Sequence, residues 1–183
     1  MGTSFLIFAV GILVLWGVLI YNGLVRERNR TASAWSDIDV QLQRRHDLIP
    51  RLVEAVRAYA EYERATLETV TELRAQSEQT RQVARIAEIE QQLESGVNRL
   101  IALAEDYPDL KADRNFLELQ RELTDVEDQL QYARRYYNGA VRAFNTRIQS
   151  FPDLIVARPM GFAEAEFFDA VPEAEAPVKV RLA

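Results

Sequence analysis

The stretch MGTSFLIFAVGILVLWGVLIYNGLV (residues 1–25) decides how this chain is organised. It contains no charged side chain, and residues 5–20 form an unbroken apolar run. A helix of about 20 such residues rises about 30 Å, which is the thickness of the hydrocarbon core of a bilayer. The stretch therefore predicts a transmembrane anchor, and we expect the rest of the chain to be held at a membrane.

The residues after the apolar stretch predict its orientation. Arg26, Arg28 and Arg30 follow at once and surround a single acid, Glu27. Positive charge collects on the cytoplasmic side of membrane helices. We therefore expect a single-pass protein whose short N-terminus lies outside and whose C-terminal body is cytoplasmic.

Two other interpretations of the apolar stretch stay open. One is a cleaved secretion signal, because Ala32-Ser33-Ala34 has the small-x-small form of a cleavage site. A signal, however, carries its positive charge before the apolar run, whereas here the charge comes after it. The other is a buried helix of a soluble protein, although Trp16 and Tyr21 near one end are more typical of a membrane interface.

Composition limits the chemistry of the body. The residues beyond the anchor are enough for one domain with a core of its own. The chain has no cysteine, which excludes disulfides, thiolate metal sites and thiol nucleophiles. The formal net charge of -6 disfavours general binding to nucleic acid. We therefore expect no nucleic-acid partner.

The sequence contains few residues in patterns that are typical of catalytic sites. The one histidine, His46, stands beside Asp47, and we interpret this pair as a helix cap or surface arrangement. No His-Glu-x-x-His, glycine-rich phosphate loop or Gly-x-Ser-x-Gly motif occurs. Glu63 and Glu90 lie on apolar stripes, but a ferritin-like metal site needs Glu-x-x-His pairs. We favour arginine-paired glutamates at the edge of the core, and expect no catalytic, cofactor-binding or metal-binding residue.

Proline positions and apolar spacing predict the helices. Long proline-free tracts rich in Ala, Leu, Glu, Arg and Gln favour helix. We predict a first helix over residues 3–47, a break at residues 47–50, a hairpin turn within residues 76–82 and a third helix ending at residues 105–108. The fourth helix should begin with a capping box of Asn115 and Glu118 and should end before Pro152.

The predicted fold is therefore all-α. An N-terminal transmembrane helix continues into an antiparallel four-helix bundle of long helices, and an irregular C-terminal tail follows. The corresponding divisions are the anchor at residues 1–25, the cytoplasmic helical bundle at 26–152 and the tail at 153–183. In the tail, residues 162–168 are expected to form one helical turn that docks its phenylalanines on the bundle or the membrane, whereas residues 177–183 alternate like a strand without a partner. The predicted core consists of Trp35, Ile38, Leu42, Val56, Leu67, Leu93, Val97, Leu100, Leu119, Leu123, Val126 and Leu130.

Two sets of polar residues are candidate functional sites. A short internal echo, residues 21–29 against residues 137–145, places paired asparagines at the same level of antiparallel neighbours, where they are expected to set register as buried asparagines do in coiled coils. An acid-free, arginine-rich run beside the anchor is expected to form a membrane-proximal basic collar that attracts anionic headgroups. The register-setting residues are Asn22, Asn29, Asn138 and Asn145, and the basic collar consists of Arg26, Arg28, Arg30, Arg134, Arg135, Arg142 and Arg147.

Recognisable motifs are spread over nearly the whole chain. They are Tyr21-Asn22-Gly23-Leu24-Val25, residues 34–50 (AWSDIDVQLQRRHDLIP), residues 107–112 (YPDLKA), Asn115-Phe116-Leu117, residues 119–123 (LQREL), Tyr137-Asn138, Asn145, Phe151-Pro152, and Gly161-Phe162 with Phe167-Phe168. Together they resemble the LemA family of bacterial membrane proteins. Arg51 departs from the asparagine that is common in the family after this proline.

The resemblance implies an N-terminal anchor, a bundle of long helices and a place in the bacterial cell (inner) membrane. It implies no established reaction and no defined functional residues. The function expected is a non-enzymatic, membrane-anchored scaffold that self-associates, with the lipid bilayer as its other partner. The alternative is an adaptor or regulator that presents its tail to a membrane protease or signalling protein.

Overall fold

A computed structural model describes residues 2–60 and 63–168 of the chain. Every regular element in this part of the chain is helical, which confirms the predicted all-α class. A 3₁₀ turn at Ala104–Asp106 follows the third helix. The α-helices are α1 (Gly2–Arg57), α2 (Arg64–Gln79), α3 (Val83–Leu103), α4 (Pro108–Ala112), α5 (Arg114–Gln149) and α6 (Leu154–Ala157).

Helix α1 is the longest element and joins the apolar stretch to the body. Its 56 residues correspond to about 84 Å at about 1.5 Å per residue. Packing against the rest of the chain begins abruptly, because Leu19 is 63% exposed and Ile20 is 6% exposed. Within the described residues, α1 is the one helix long and apolar enough to cross a membrane. The predicted continuous helix over residues 3–47 is confirmed.

The predicted break at residues 47–50 is wrong, because α1 passes through Pro50 and ends at Arg57. A proline inside a helix lacks the N–H that would bond to the carbonyl four residues earlier, here that of His46. The structure supplies a substitute: Nε of Arg74, on α2, donates to the His46 carbonyl oxygen at 2.8 Å. A bond from another helix thus compensates for the proline.

The long helices are arranged around the pair formed by α1 and α5. These two helices contact each other along most of the body and run in opposite directions, so that Gly23 lies beside Arg147 and Arg51 beside Glu122. Helices α2 and α3 form a hairpin joined by residues 80–82, within the predicted turn, and this hairpin packs on the half of α1 that is farther from the apolar stretch.

Three apolar clusters follow one another along the body. The first joins all the long helices and α4, the second joins α1, α3 and α5 to Phe168, and the third joins α1 and α5 to α6 beside the apolar stretch. Each predicted core residue is buried except Trp35, which is half-buried. The clusters are centred on Leu52, Leu100 and Phe116, on Ile38, Leu130 and Val141, and on Leu24, Phe144 and Ala157.

Two details of the C-terminal half differ from the sequence-based expectation. Helix α5 is capped by Asp113, whose carboxylate accepts from the Phe116 backbone N–H at 2.9 Å, so the predicted capping box is wrong. Asp113 is the N-cap residue because its backbone is extended, which directs its carboxylate toward the Phe116 N–H. Residues 162–168 contain no helical turn. The strand-like residues 177–183 lie outside the described part of the chain.

Candidate functional site

A buried polar cluster lies where the α2–α3 hairpin packs on α1. Its centre is Glu90 of α3, whose side chain is fully buried. The two Glu90 carboxylate oxygens accept from Arg45 at 3.0 Å, from Nε2 of His46 at 2.7 Å and from the Ser77 hydroxyl at 2.5 Å. Because an ionised carboxylate only accepts, Nε2 of His46 must carry its proton. Arg45 also pairs with Glu127 of α5. We call these five residues the Glu90 cluster.

A ring of further charges surrounds the Glu90 cluster. Arg74 pairs with Glu78 at 2.9 Å along α2, and Glu78 lies 3.9 Å from Nδ1 of His46. Arg134 of α5 lies 3.8 Å from Glu94 of α3. The long helices are therefore joined by ion pairs at one level, between the first and second apolar clusters.

The surroundings of the Glu90 cluster shift two pKa values. Burial alone would raise the pKa of Glu90, but the hydrogen bonds from His46 and Ser77, with the charges of His46 and Arg45, bring it below its ordinary value. Burial lowers the pKa of Arg45, although Glu90 opposes the effect. Each of these two charges therefore depends on the other for its stability in the interior.

The structure corrects the interpretation of His46. We expected a cap or surface pair with Asp47, but His46 is buried and bonds to Glu90, whereas Asp47 is exposed and accepts from Gln43 at 3.0 Å. Position 46 follows the stripe of Leu42 by four residues, so the spacing on α1 carried a signal for its burial. The expectation that Glu90 pairs with arginine is confirmed.

The Glu90 cluster joins α1, α2, α3 and α5 through buried polar contacts. The Glu90 carboxylate accepts three hydrogen bonds, and every member of the cluster but Glu127 is almost fully enclosed. In the part of the chain that the structure describes, no three His, Cys, Asp or Glu side chains are grouped so that they could hold a metal ion.

A second polar site, which the sequence did not reveal, fastens residues 162–168 to α5. Asn145 exchanges two hydrogen bonds of 2.9 Å with the backbone of Ala165, like a neighbouring strand. Asn138 accepts from the Phe168 N–H at 2.9 Å. The Tyr137 hydroxyl donates to the Glu166 carbonyl oxygen at 2.8 Å, and burial raises the pKa of Tyr137. These three side chains lie on one face of α5, and we call them the α5 clamp.

Aromatic rings complete the attachment of residues 162–168. Phe168 is fully buried and its ring centroid lies 5.9 Å from that of Trp35. The ring centroid of Phe162 lies 6.3 Å from that of Phe144 and 5.8 Å from that of Tyr21. The expected docking of these phenylalanines on the helices is therefore confirmed, in an irregular conformation.

The structure gives partners to two of the four predicted register-setting asparagines. Asn138 and Asn145 bond to residues 162–168, as described, and not to an asparagine of α1. Asn22 and Asn29 are exposed. A role of these residues in setting register stays a prediction.

The basic collar is spread over a considerable length of the body. Arg28 lies over the Phe162 ring at 5.4 Å, and Arg30 donates to the Tyr136 hydroxyl at 3.4 Å. Arg134 lies over the Phe168 ring at 5.1 Å, deeper in the body. The remaining members also differ, since Arg26 and Arg142 are exposed, Arg135 lies over the Tyr132 ring at 5.4 Å and Arg147 pairs with Asp153 at 2.5 Å. Attraction of anionic headgroups by this set stays a prediction.

The fold and these two sites define a class: an all-helical protein with one apolar N-terminal helix, a body locked by a buried ion-pair cluster and a C-terminal segment clamped to that body. The sequence pattern of the LemA family matches residues 34–182. The chain belongs to the LemA family.

Individual relatives agree with this assignment. The chain is 28% identical to Protein LemA of Metamycoplasma hominis over 167 residues, which cover 91% of this chain and 76% of that protein. It is 23% identical to Magnetosome protein MamQ of Magnetospirillum gryphiswaldense, with 86% of this chain and 68% of that protein covered. Magnetosome protein MamQ 2 of Paramagnetospirillum magneticum is similar to the same extent.

Proposed function

We propose that this protein is a non-enzymatic scaffold, anchored in the bacterial inner membrane by α1, that self-associates there. Its N-terminus lies outside and its body is cytoplasmic. Residues 26–152 of the body form an antiparallel four-helix bundle of α1, α2, α3 and α5, and residues 153–183 form the tail. The observation that carries the proposal is the continuity of α1, whose apolar first part stands clear of the body while the rest is built into its core. Anchor and body are one stiff element.

Two further observations support a role in organising a membrane. Relatives of the chain are magnetosome proteins by name. The basic collar places arginines next to the end of the apolar stretch, where each is worth about 1 kcal/mol of attraction to an anionic leaflet. The bilayer and its anionic headgroups are therefore proposed partners, and another membrane protein is a further one.

Self-association needs a face that copies can share. Val40 on α1 and the rings of Tyr132 and Tyr136 on α5 are exposed side by side, and they line a groove together with Asp37 and Gln129. Copies anchored in one membrane present this face at the same height. A two-fold axis along the membrane normal therefore brings like faces together, as in most homodimers. We propose that this groove is the contact between copies.

Cysteine cross-linking tests the groove directly, because the chain has no cysteine of its own. In a Tyr136→Cys variant in native membranes, mild oxidation should give a disulfide-linked dimer. The matched control is Tyr59→Cys, which is also an exposed tyrosine but lies just beyond the far end of α1. Dimers from both variants in equal yield would mean random collision, and no dimer from Tyr136→Cys would count against the groove.

The size of the assembly tests the scaffold itself. Native mass analysis of the detergent-solubilised chain should show more than one copy. Raised salt should weaken the assembly, because it screens the attraction between exposed charged side chains of neighbouring copies. Gly11 and Gly17 face open space and are six residues apart, so they form no single stripe for close helix pairing. A monomer at all concentrations, or an assembly abolished only by leucine at these two glycines, would refute the proposal.

The adaptor alternative rests on the C-terminal segment. Phe168 is fully buried, so a partner that binds its ring has to displace the ring from the helices first. Removing residues 169–183 leaves the α5 clamp and its segment intact. A scaffold should still assemble after this truncation, whereas an adaptor that presents its tail should lose its partner in a pull-down from membranes.

A further inference from the structure

The loop between α5 and the clamped segment exposes three large apolar side chains. Phe151 is 80% exposed, Met160 is 61% exposed and Ile155 is 56% exposed. All three lie within residues 150–161, which include the short helix α6. Monomeric soluble proteins rarely expose large apolar patches, so three large exposed apolar side chains in one short segment indicate a surface that is covered by a partner.

The position of this loop identifies the partner. Ala157 of α6 and Ile148 of α5 pack on Ile20 and Leu24 of α1 in the third apolar cluster. Among the residues of α1 whose burial is described, Ile20 is the first to be buried by the rest of the chain, so the loop lies at the end of the body next to the apolar stretch. The end of α5 and Phe162 pack on the same part of α1.

The length of the apolar stretch places that end of the body in lipid. Residues 6–19, whose large apolar side chains are exposed, rise only about 21 Å, short of the hydrocarbon core of about 30 Å. The uncharged sequence continues to Val25, and residues 5–25 match that thickness. Ile20 then lies about 7 Å inside the hydrocarbon boundary, and the loop that packs on it lies at a similar depth.

The charges of the loop are compatible with this position. Asp153 pairs with Arg147 at 2.5 Å, so neither enters the interface as an isolated charge. Arg158 is exposed, and its long side chain can extend its guanidinium to the headgroups. The other exposed side chains of residues 151–161 are apolar, proline or glycine.

We propose that residues 150–161 are a second membrane-binding element, which inserts Phe151, Ile155 and Met160 into the leaflet through which α1 leaves the bilayer. This inference rests on the anchor in the proposed function but not on self-association. With a second attachment beside the transmembrane helix, the body is held in one rotational orientation about α1.

Site-directed fluorescence tests the insertion in the full chain. An Ile155→Cys variant and a Met160→Cys variant are labelled with an environment-sensitive dye and reconstituted in phosphatidylcholine–phosphatidylglycerol vesicles. The dye should shift to the blue, and lipids with a quencher at a shallow acyl position should remove most of its emission. Two controls use the same label: Leu15→Cys, exposed in the apolar stretch, and Tyr59→Cys, just beyond the far end of α1.

The controls separate failure of the loop from failure of the anchor. The Leu15 label should be quenched by lipids with a deep quencher, and the Tyr59 label only by iodide in solution. If the Leu15 label is quenched but both loop labels respond only to iodide, the loop does not enter lipid and the inference is wrong. If the Leu15 label also responds only to iodide, the anchor itself is wrong and the proposed function fails with it.

Discussion

The Glu90→Gln substitution removes one negative charge from the Glu90 cluster and leaves the shape of the side chain almost unchanged. Glutamine still accepts from Ser77, but it no longer balances the charge of Arg45, which is 4% exposed. Removing one partner of a buried ion pair costs about 3 to 5 kcal/mol, since the other charge is left in the interior. Arg45 retains Glu127, so we expect the lower end of that range, about 3 kcal/mol.

Thermal unfolding of the full chain in detergent, followed by circular dichroism, measures this loss. For a protein of this size about 3 kcal/mol corresponds to a fall in Tm of about 6 to 12 °C. The matched control is Glu88→Gln, two residues earlier on α3, because Glu88 is exposed and pairs with Arg85 on its own helix. Its expected effect is below about 0.5 kcal/mol. Equal effects of the two variants would refute the assignment of Glu90 as the centre of a buried cluster.

The same pair of variants predicts a dependence on pH. The pKa of Glu90 in the folded state lies below its ordinary value of 4.5. The stabilisation that this shift represents is therefore present above about pH 4.5 and is lost as the pH falls through the lower, folded value. Between pH 7 and acid, the Tm of Glu90→Gln should fall less than that of the wild-type chain and of Glu88→Gln. A parallel fall in all three would place the acid-labile groups elsewhere.

Other contacts give predictions that are tested in the same way. Arg74→Ala should lower the free energy of unfolding by about 1 to 2 kcal/mol, because the His46 carbonyl loses its donor. Adding Pro50→Ala should recover part of this loss, because alanine restores the helical N–H at position 50. If the effects of the two substitutions are simply additive in the double variant, this account is wrong. Asn145→Ala should leave the Tm nearly unchanged in comparison with Glu90→Gln but should speed hydrogen exchange at residues 162–168, measured by mass spectrometry. Unchanged exchange there would mean that packing alone holds the segment.

The sequence predicted the long helices because their apolar spacing is regular. The stripe of α5 runs without interruption from Phe116 to Phe144, and every large member tested by burial faces the core. The apolar stretch was equally clear from its length. At Pro50 the same reasoning failed, because the donor that rescues the His46 carbonyl comes from Arg74, and a contact between distant helices leaves no local signal.

The candidate sites were only partly predictable for a similar reason. Glu90 stood out as an acid on an apolar stripe, but its partners come from two other helices, α1 and α2, and depend on how these pack. The asparagines of α5 attracted notice through the internal echo, yet their partners are backbone groups of residues 162–168. Backbone N–H and carbonyl groups are common to nearly all residues, so the sequence carries no signal for the partners of the α5 clamp.

The continuity of α1 makes the molecule a mechanical lever. From Val25 to Arg57 the helix rises about 48 Å, so an added tilt of about 10° at the membrane moves its far end sideways by about 8 Å. Transmembrane helices change their tilt when the thickness of the bilayer changes. A displacement of about 8 Å is close to the spacing of two packed helices. If copies associate in a membrane as proposed, a small change in the bilayer therefore produces a movement large enough to make or break a contact between neighbouring bodies.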